Sequence, residues 1–412
     1  MRITITGINY YPEVTGIAPY TTGLAQGLAE RGHQVQVITG LPHYPEWRIA
    51  DAYRSWRRRS EHINGVTVDR VRHHVPARLT PRGRVVLEAS FAQAVLRSSW
   101  RRPDLVITVS PSLLASAAVI AEARLRRVPV GIIVQDLYSS GVVETGAMGG
   151  RTAGAAARFE AGVLRAATGV SVIHERFVDV ITRLGLDRDK IAVNRNWTHI
   201  TAPTGLAVDE VRRRYGWRPD ETIVVHSGNM GAKQGLENVV AAGKLAHDTA
   251  GAPGDVRFVL IGDGNQRRAL ERQGDGVPTV DFVDPLPADE FTRVLQAADV
   301  LLVNEKPGVG EMAVPSKLTS YFSSGRPVLA ATDASSGAAH EIRNSGGGVL
   351  VPPGDPAALL DAVRAIVGDE DAARAMGASG QEYARSTLDT ATAIDHYEKW
   401  CYSLRDQGPG AA

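Results

Sequence analysis

Runs of β-branched and apolar residues alternate along the chain with stretches whose apolar positions recur at i, i+3 and i+4. The runs "RITITG" (2–7), "QVQVIT" (34–39), "VTVDRV" (66–71), "DLVITV" (104–109), "VGIIVQ" (130–135) and "GVSVI" (169–173) read as strands. The Ala- and Leu-rich stretches between most of them read as helices. Such alternation predicts a parallel sheet covered by helices on both faces, an α/β doubly wound domain. After the polar, Pro- and Gly-punctuated "NRNWTHITAPTG" (194–205) the pattern restarts with the helix-like "AVDEVRRRYG". Strands then follow at "TIVVHSG" (222–228), "VRFVLIG" (256–262), "DVLLVN" (299–304), "RPVLAA" (326–331) and "GGVLV" (347–351).

The expected organisation is two Rossmann-like domains, 1–196 and 207–385, with a linker near 196–206. A last helical stretch, 386–405, carries Tyr397, Trp400 and Tyr402 and is expected to pack back on the first domain. Two doubly wound domains in tandem are expected to face a cleft from the carboxyl ends of their sheets, where ligands of such folds bind.

Composition changes this picture little. A length of 412 residues suits two domains, and 43% hydrophobic with 22% charged residues is ordinary for a globular protein. A single cysteine, Cys401, excludes an internal disulfide framework. With no secretory pattern after Met1 and no membrane-length apolar run, a cytoplasmic protein is expected. Charge adds more. The overall +1 divides into +10 over residues 1–200 and −9 over residues 201–412, and forty arginines accompany six lysines. The dense segments "YRSWRRRSEH" (53–62) and "RLTPRGR" (78–84) suit an anionic lipid surface or a pyrophosphate-linked acceptor, or are a solvated basic face. Nucleic acid is not the expected partner.

Three segments carry candidate chemistry. In "VPSKLTSYFSSGRPV" (314–328) a lysine follows Pro-Ser at a helix start, where unpaired N–H groups already make the site positive. Lys317 gains there only if an anion arrives. "VVHSGNMGAKQGLENVV" places Gly228, Asn229, Gly231 and Lys233 between a strand and a helix, an anion cradle without the G-K-[ST] ending of a nucleotide-triphosphate loop. "GINYYPEVTGIAPYTTG" places Gly16 after the first strand, as a phosphate-facing glycine or a simple turn, with no G-x-G-x-x-G. Lys233 and Lys317 together could clamp one diphosphate. There is no D-x-D in a plausible loop and no His/Cys ligand cluster, so no metal is expected, and His73-His74 reads as a surface pair.

Nearly the whole chain resembles the GT-B glycosyltransferases of family 4, the retaining nucleotide-sugar enzymes, and within them the WcaI/WbuB-like branch of extracellular polysaccharide and O-antigen assembly. The segments quoted above, and "NYYPEVTGIAPYTTGLAQGLAERGHQVQVITGLPHYPE" as a whole, carry the likeness. It implies a metal-independent, retaining hexosyltransferase that uses a UDP- or GDP-linked sugar as substrate and needs no cofactor. It implies that Gly16 and Ile17 face the donor diphosphate, and that Asn229, Lys233, Ser316 and Lys317 bind it. Gly262, Asp263, Val283 and Ser320 would lie near the base and ribose. Asp136 falls where many relatives have a sugar-contacting histidine. Tyr10, His43 and Tyr44 would belong to the acceptor side.

Several positions depart from the family pattern: Asn229 stands for an arginine, Gln234 for a lysine, and Gln135–Asp136 for the commoner His–Asp. The glutamates eight apart are replaced by Met312 and Ser320, so Glu311 becomes the candidate substitute. The acceptor classes implied are a glycan, a polyprenyl-linked sugar at the inner membrane face, or a small natural product. A nucleotide-sugar epimerase of the same fold and a non-catalytic nucleotide-sugar-binding subunit are the rivals. The long segment "LPHYPEWRIADAYRSWRRR" argues against the first, because an epimerase needs no acceptor loop.

Overall fold

The computed structural model describes residues 1–14, 16–55, 58–77, 80–137, 150–198, 208–249, 256–308 and 317–408. The chain forms two compact units, Met1–Asn196 with Thr390–Ala412, and Trp197–Asp389. Residues 199–207, most of the expected linker, lie outside the described residues.

The first unit holds strands β1 (Arg2–Gly7), β2 (Gln34–Gly40), β3 (Arg58–Ile63), β4 (Val66–Val71), β5 (Leu105–Val109), β6 (Val130–Val134), β7 (Gly169–Val172) and β8 (Ile191–Val193). Their order in the sheet is β3-β4-β2-β1-β5-β6-β7-β8. Every pairing is parallel except β3 with β4. That exception falls on the basic segment read from sequence as a patch. "RRSEHI" is an edge strand, turned onto β4 by Asn64 and Gly65, whose φ angles of 47° and 80° suit a two-residue hairpin. Arg59 and Glu61 put charge on this sheet edge, which discourages pairing with another chain.

The second unit holds β9 (Thr222–Ser227), β10 (Val256–Ile261), β11 (Val280–Val283), β12 (Val300–Asn304), β13 (Val328–Ala331) and β14 (Gly348–Val351), in the all-parallel order β11-β10-β9-β12-β13-β14. Alternate residues of each strand feed different cores, as a period of two requires. Val225, Val259, Leu301 and Val303 join one core, and Val224, Phe258, Leu260 and Leu302 the other. In both sheets the order reverses beside the first strand of the unit, between β1 and β5 and between β9 and β12. The crevice at such a reversal is where these folds admit ligands.

The last helix, Thr390–Asp406, belongs to the first unit. Trp400 and Leu404 lie on β6 and β7 where Gly131 and Gly169 leave room; a side chain at Gly131 would start 2.6 Å from the Trp400 ring. Arg31 with Asp395 (2.6 Å) and His33 with Glu398 (2.7 Å) hold its outer face, and the Tyr397 hydroxyl donates to the Asn194 carbonyl.

Candidate active site

At the β9–β12 reversal, the carboxyl end of β9 carries His226, Ser227 and Gly228. His226 is fully buried, and its Nδ1 lies 3.1 Å from the Leu302 carbonyl oxygen. A carbonyl can only accept, so Nδ1 bears the proton and Nε2 offers a lone pair. The Lys317 amine lies 3.3 Å from that Nε2. Burial and the neighbouring lysine push His226 well below the usual imidazole range. Burial lowers the Lys317 amine to about 8, opposed by the negative charge of Glu305. Glu305 is the buried residue after β12; its carboxylate accepts from the Thr332 hydroxyl and its N–H donates to the Ala331 carbonyl.

The helix Lys317–Ser323 is stitched to the sheet through Tyr321. Its hydroxyl accepts from the Ser227 N–H at 2.8 Å and lies 3.1 Å from the Ser227 hydroxyl; burial pushes the phenol up to about 12. Ser320 is buried on the same helix. Below Lys317 lies a floor of bare backbone. A side chain at Gly228 would start 3.8 Å from the Lys317 Cε, and one at Gly262, where φ is +139°, would start 2.0 Å from the Gly228 oxygen. Only glycine fits such an approach. The floor is tied by Gly228 N–H to Ile261, Gly262 N–H to Val283 and Met230 N–H to Asp263. Arg267 donates to the Gly262 carbonyl at 2.8 Å and pairs with Asp284 at 2.7 Å, fixing the rim where Asp263 is exposed and Val283 half-buried.

Lys233 sits in the turn Ala232–Gln234, half-buried beside the exposed Asn229. Its carbonyl accepts from the Lys306 N–H at 2.8 Å, and Asn304 donates to the Gln234 and Gly235 carbonyls. Both ends of the loop are therefore anchored to the end of β12. Glu311 and Ser316 lie outside the described residues.

At the β1–β5 reversal of the first unit a cavity of about 240 Å³ opens. Gly16, Ile17, His43 and Tyr44 all line it, with Trp47, Glu88 and Ser112. Glu13 shapes its wall: one carboxylate oxygen accepts from the N–H groups of His43 (2.7 Å) and Tyr44 (2.9 Å), the other from the Asn9 amide (2.8 Å). Glu88 is buried, which pushes its carboxyl up; it accepts from the Leu114 N–H and from Arg84. Asp136 is exposed just beyond β6, and its carbonyl accepts from the Ser110 hydroxyl. Tyr10 is an interior side chain, 1% exposed, and its phenol is pushed up by burial.

One expectation is corrected. His73 is not on the surface. It is 5% exposed, its ring lies over Gly40 and edge-on to His43 (4.8 Å) and Phe91 (5.8 Å), and burial with the neighbouring His43 lowers it to about 3. His74, one residue on, is exposed.

Comparison with known proteins decides what these two ends of sheet belong to. Residues 15–197 match the family described as glycosyl transferase 4-like domain, and residues 221–369 match glycosyl transferases group 1. WcaI, a glycosyl transferase assigned to colanic acid biosynthesis in Escherichia coli (strain K12), is 30% identical over 339 residues, covering 79% of this chain and 82% of that one. The chain belongs to the family 4 glycosyltransferases. Its fold is GT-B. HepE of Anabaena, solved in complex with UDP, superposes with a TM-score of 0.72 at 16% identity, covering 98% of this chain and all of that one. Sucrose-phosphate synthase of Thermosynechococcus elongatus gives 0.73 at 19% identity, covering 98% of each chain.

In this glycosyltransferase the structure sets Lys317 over Gly228 and Gly228 against Gly262, and it places Gly16, Ile17, His43 and Tyr44 on one cavity. The sequence alone did not single out His226, Glu305, Arg267 or Glu13. His226 and Glu305 stood inside or beside quoted strands, but nothing local marks a strand-end residue as a partner of a distant lysine.

Proposed function

We propose that this glycosyltransferase moves a hexosyl group from a nucleoside-diphosphate sugar to an acceptor hydroxyl, with retention and without a metal ion, in the assembly of a cell-surface or lipid-linked glycan. The observation that carries the reading is the Lys317 amine, largely buried over the Gly228–Gly262 floor. A buried ammonium is costly unless an anion joins it. As the glycosidic bond breaks, charge grows on the leaving diphosphate, and a fixed cation in a site of low dielectric stabilises that charge more than the ground state. Lys233 would share the task, with Asp136 and Glu311 as candidates near the transferred sugar.

The first-unit cavity is the candidate acceptor site. Tyr44 and Trp47 offer aromatic faces for a sugar ring, and Glu88 and Ser112 offer polar groups. The WcaI likeness favours a polysaccharide or lipid-linked acceptor over a small natural product. A lipid-linked acceptor would bring the enzyme to a membrane as a peripheral protein, since no helix among the described residues is long and apolar enough to cross one. A groove of about 680 Å³ between the helices Leu113–Leu125 and Gly150–Ala166 suits an anionic lipid surface. Leu125, 80% exposed, and Phe159 lie on it, with Arg124 and Arg158 at its rim.

The test is a thermal-shift titration with UDP, GDP, dTDP and ADP, on the wild type and Lys317→Ala. A nucleotide at 100 times its dissociation constant adds about 2.7 kcal/mol. Stabilisation of the wild type that is clearly smaller in the variant supports the reading; equal shifts, or none with any nucleotide, overturn it. UDP is the first to try, given the HepE complex. Sedimentation with phosphatidylglycerol against phosphatidylcholine vesicles tests the groove, and equal binding to both, or to neither, refutes it.

A further inference from the structure

We propose that His226 is a positioning residue for the glycosyl transfer, holding the Lys317 amine over Gly228 where the leaving diphosphate gathers charge. The inference rests on the reading of Lys317 given above. A lysine side chain has four rotatable bonds, and fixing it costs rotamer freedom. At a site that must meet charge without reorganising, something has to fix it before the donor arrives. His226 meets that need from both ring nitrogens: Nδ1 is anchored on the Leu302 carbonyl at 3.1 Å, and Nε2 points its lone pair at the amine, 3.3 Å away.

The chemistry of the partner matters as much as its position. A carboxylate at the same place would orient the amine but also neutralise it, leaving less field for the diphosphate. A hydroxyl would be free to rotate. An imidazole with one nitrogen committed to a backbone carbonyl is a rigid acceptor with no charge, so it directs the ammonium and leaves its charge available. Among the described residues, the charged and titratable groups acting on the pair include Glu305, whose carboxylate is engaged by the Thr332 hydroxyl, and Tyr321, whose hydroxyl is engaged by Ser227. Full burial at the end of a central strand keeps the imidazole neutral, as the role requires.

The experiment is a double-mutant cycle on the full chain. His226→Phe keeps a ring and removes both nitrogens; His226→Asn keeps polarity but is too short to span both contacts; His226→Gln can reach Leu302 with its amide N–H or the amine with its oxygen. UDP and GDP are the probes, each measured against its own nucleoside by calorimetry. Expected is a roughly tenfold weaker Kd for the diphosphate in His226→Phe and His226→Asn, no change for the nucleoside, and partial recovery in His226→Gln. In a Lys317→Ala background, His226→Phe should add nothing further. A diphosphate Kd unchanged in His226→Asn or His226→Phe, with Lys317→Ala weakened, overturns this inference alone. So does a loss that extends equally to the nucleoside, or one that persists undiminished in the Lys317→Ala background. A Kd unchanged in Lys317→Ala overturns the diphosphate reading and this inference with it. If His226→Phe fails to fold, His226→Asn supplies the same comparison.

Discussion

The Gly262 Cα faces the Gly228 carbonyl so closely that a side chain at Gly262 would begin 2.0 Å from that oxygen. These two glycines end adjacent strands, β10 and β9, and their contact sets the level of the floor beneath Lys317. Gly262→Ala has no rotamer to relieve the clash and also holds φ at +139°, which an L side chain rarely adopts. We expect a loss on the order of 3 kcal/mol, near the upper end for an overpacked site. Urea denaturation followed through the second unit should show an earlier transition, and nucleotide stabilisation should vanish.

Lys317 would give the proposed donor site a pH limit. Its amine is lowered to about 8, so it is charged below that pH and loses its proton above it. Nucleoside-diphosphate affinity should therefore fall as pH rises through about 8, and Lys317→Arg, which stays charged, should flatten that fall. Bound diphosphate itself favours the charged amine and moves the inflection upward. Calorimetric Kd values at pH 7, 8 and 9 check it, and a flat wild-type profile would count against the assignment.

The same amine makes an opposite prediction for the empty protein. Its folded pKa lies below the unfolded lysine value, so the unfolded chain binds more protons between about 8 and 10.5. Stability attributable to this group rises with pH across that window, because the cost of burying charge is relieved. Lys317→Met should accordingly melt higher than wild type at pH 7 without nucleotide, and gain less than wild type when nucleotide is added. Parallel melts with and without UDP decide it.

His73 sets an acid limit on the first unit. It is neutral in the fold down to about 3, whereas in the unfolded chain it takes a proton near 6.5. Between those values the unfolded state binds more protons, so stability is lost as pH falls. His73→Phe should shrink the drop in melting temperature between pH 7 and pH 4. An unchanged slope would place the acid sensitivity elsewhere.

Glu13 holds the wall of the first-unit cavity through the N–H groups of His43 and Tyr44. Glu13→Ala strands both donors in a buried setting, at about 1–3 kcal/mol for each group left unmade. Glu13→Gln keeps an oxygen in place and should cost much less. Thermal melts of the two variants should separate clearly, with nucleotide binding by the second unit unchanged in both.

The two-domain α/β fold was legible because its evidence is local. Strands such as "VGIIVQ" and "TIVVHSG" are buried on both faces, so they read as unbroken β-branched runs, and the restart after residue 205 marked a second unit. Three strands were missed because they are charged or short. Arg58–Ile63 is a charged edge strand, though its Asn-Gly turn was in plain view; Val280–Val283 is four residues long with an aspartate inside it, and Ile191–Val193 is three residues long. The glycine-rich loop and "VPSK" pointed to anion binding because glycine and a helix-start lysine have a physical meaning on their own.

What the sequence could not determine were the pairings that give those residues their properties. Lys317 and His226 are 91 positions apart and meet only because β12 lies beside β9 in the sheet. His73 looked like a surface residue until Gly40 left a space for its ring and Phe91 and His43 closed over it. Local propensity and hydrophobic period are properties of neighbours in the chain, and they determined the elements and their order. Burial, tautomer and pKa are properties of neighbours in space, and only the packed sheet, with its order reversed beside β1 and β9, decided them.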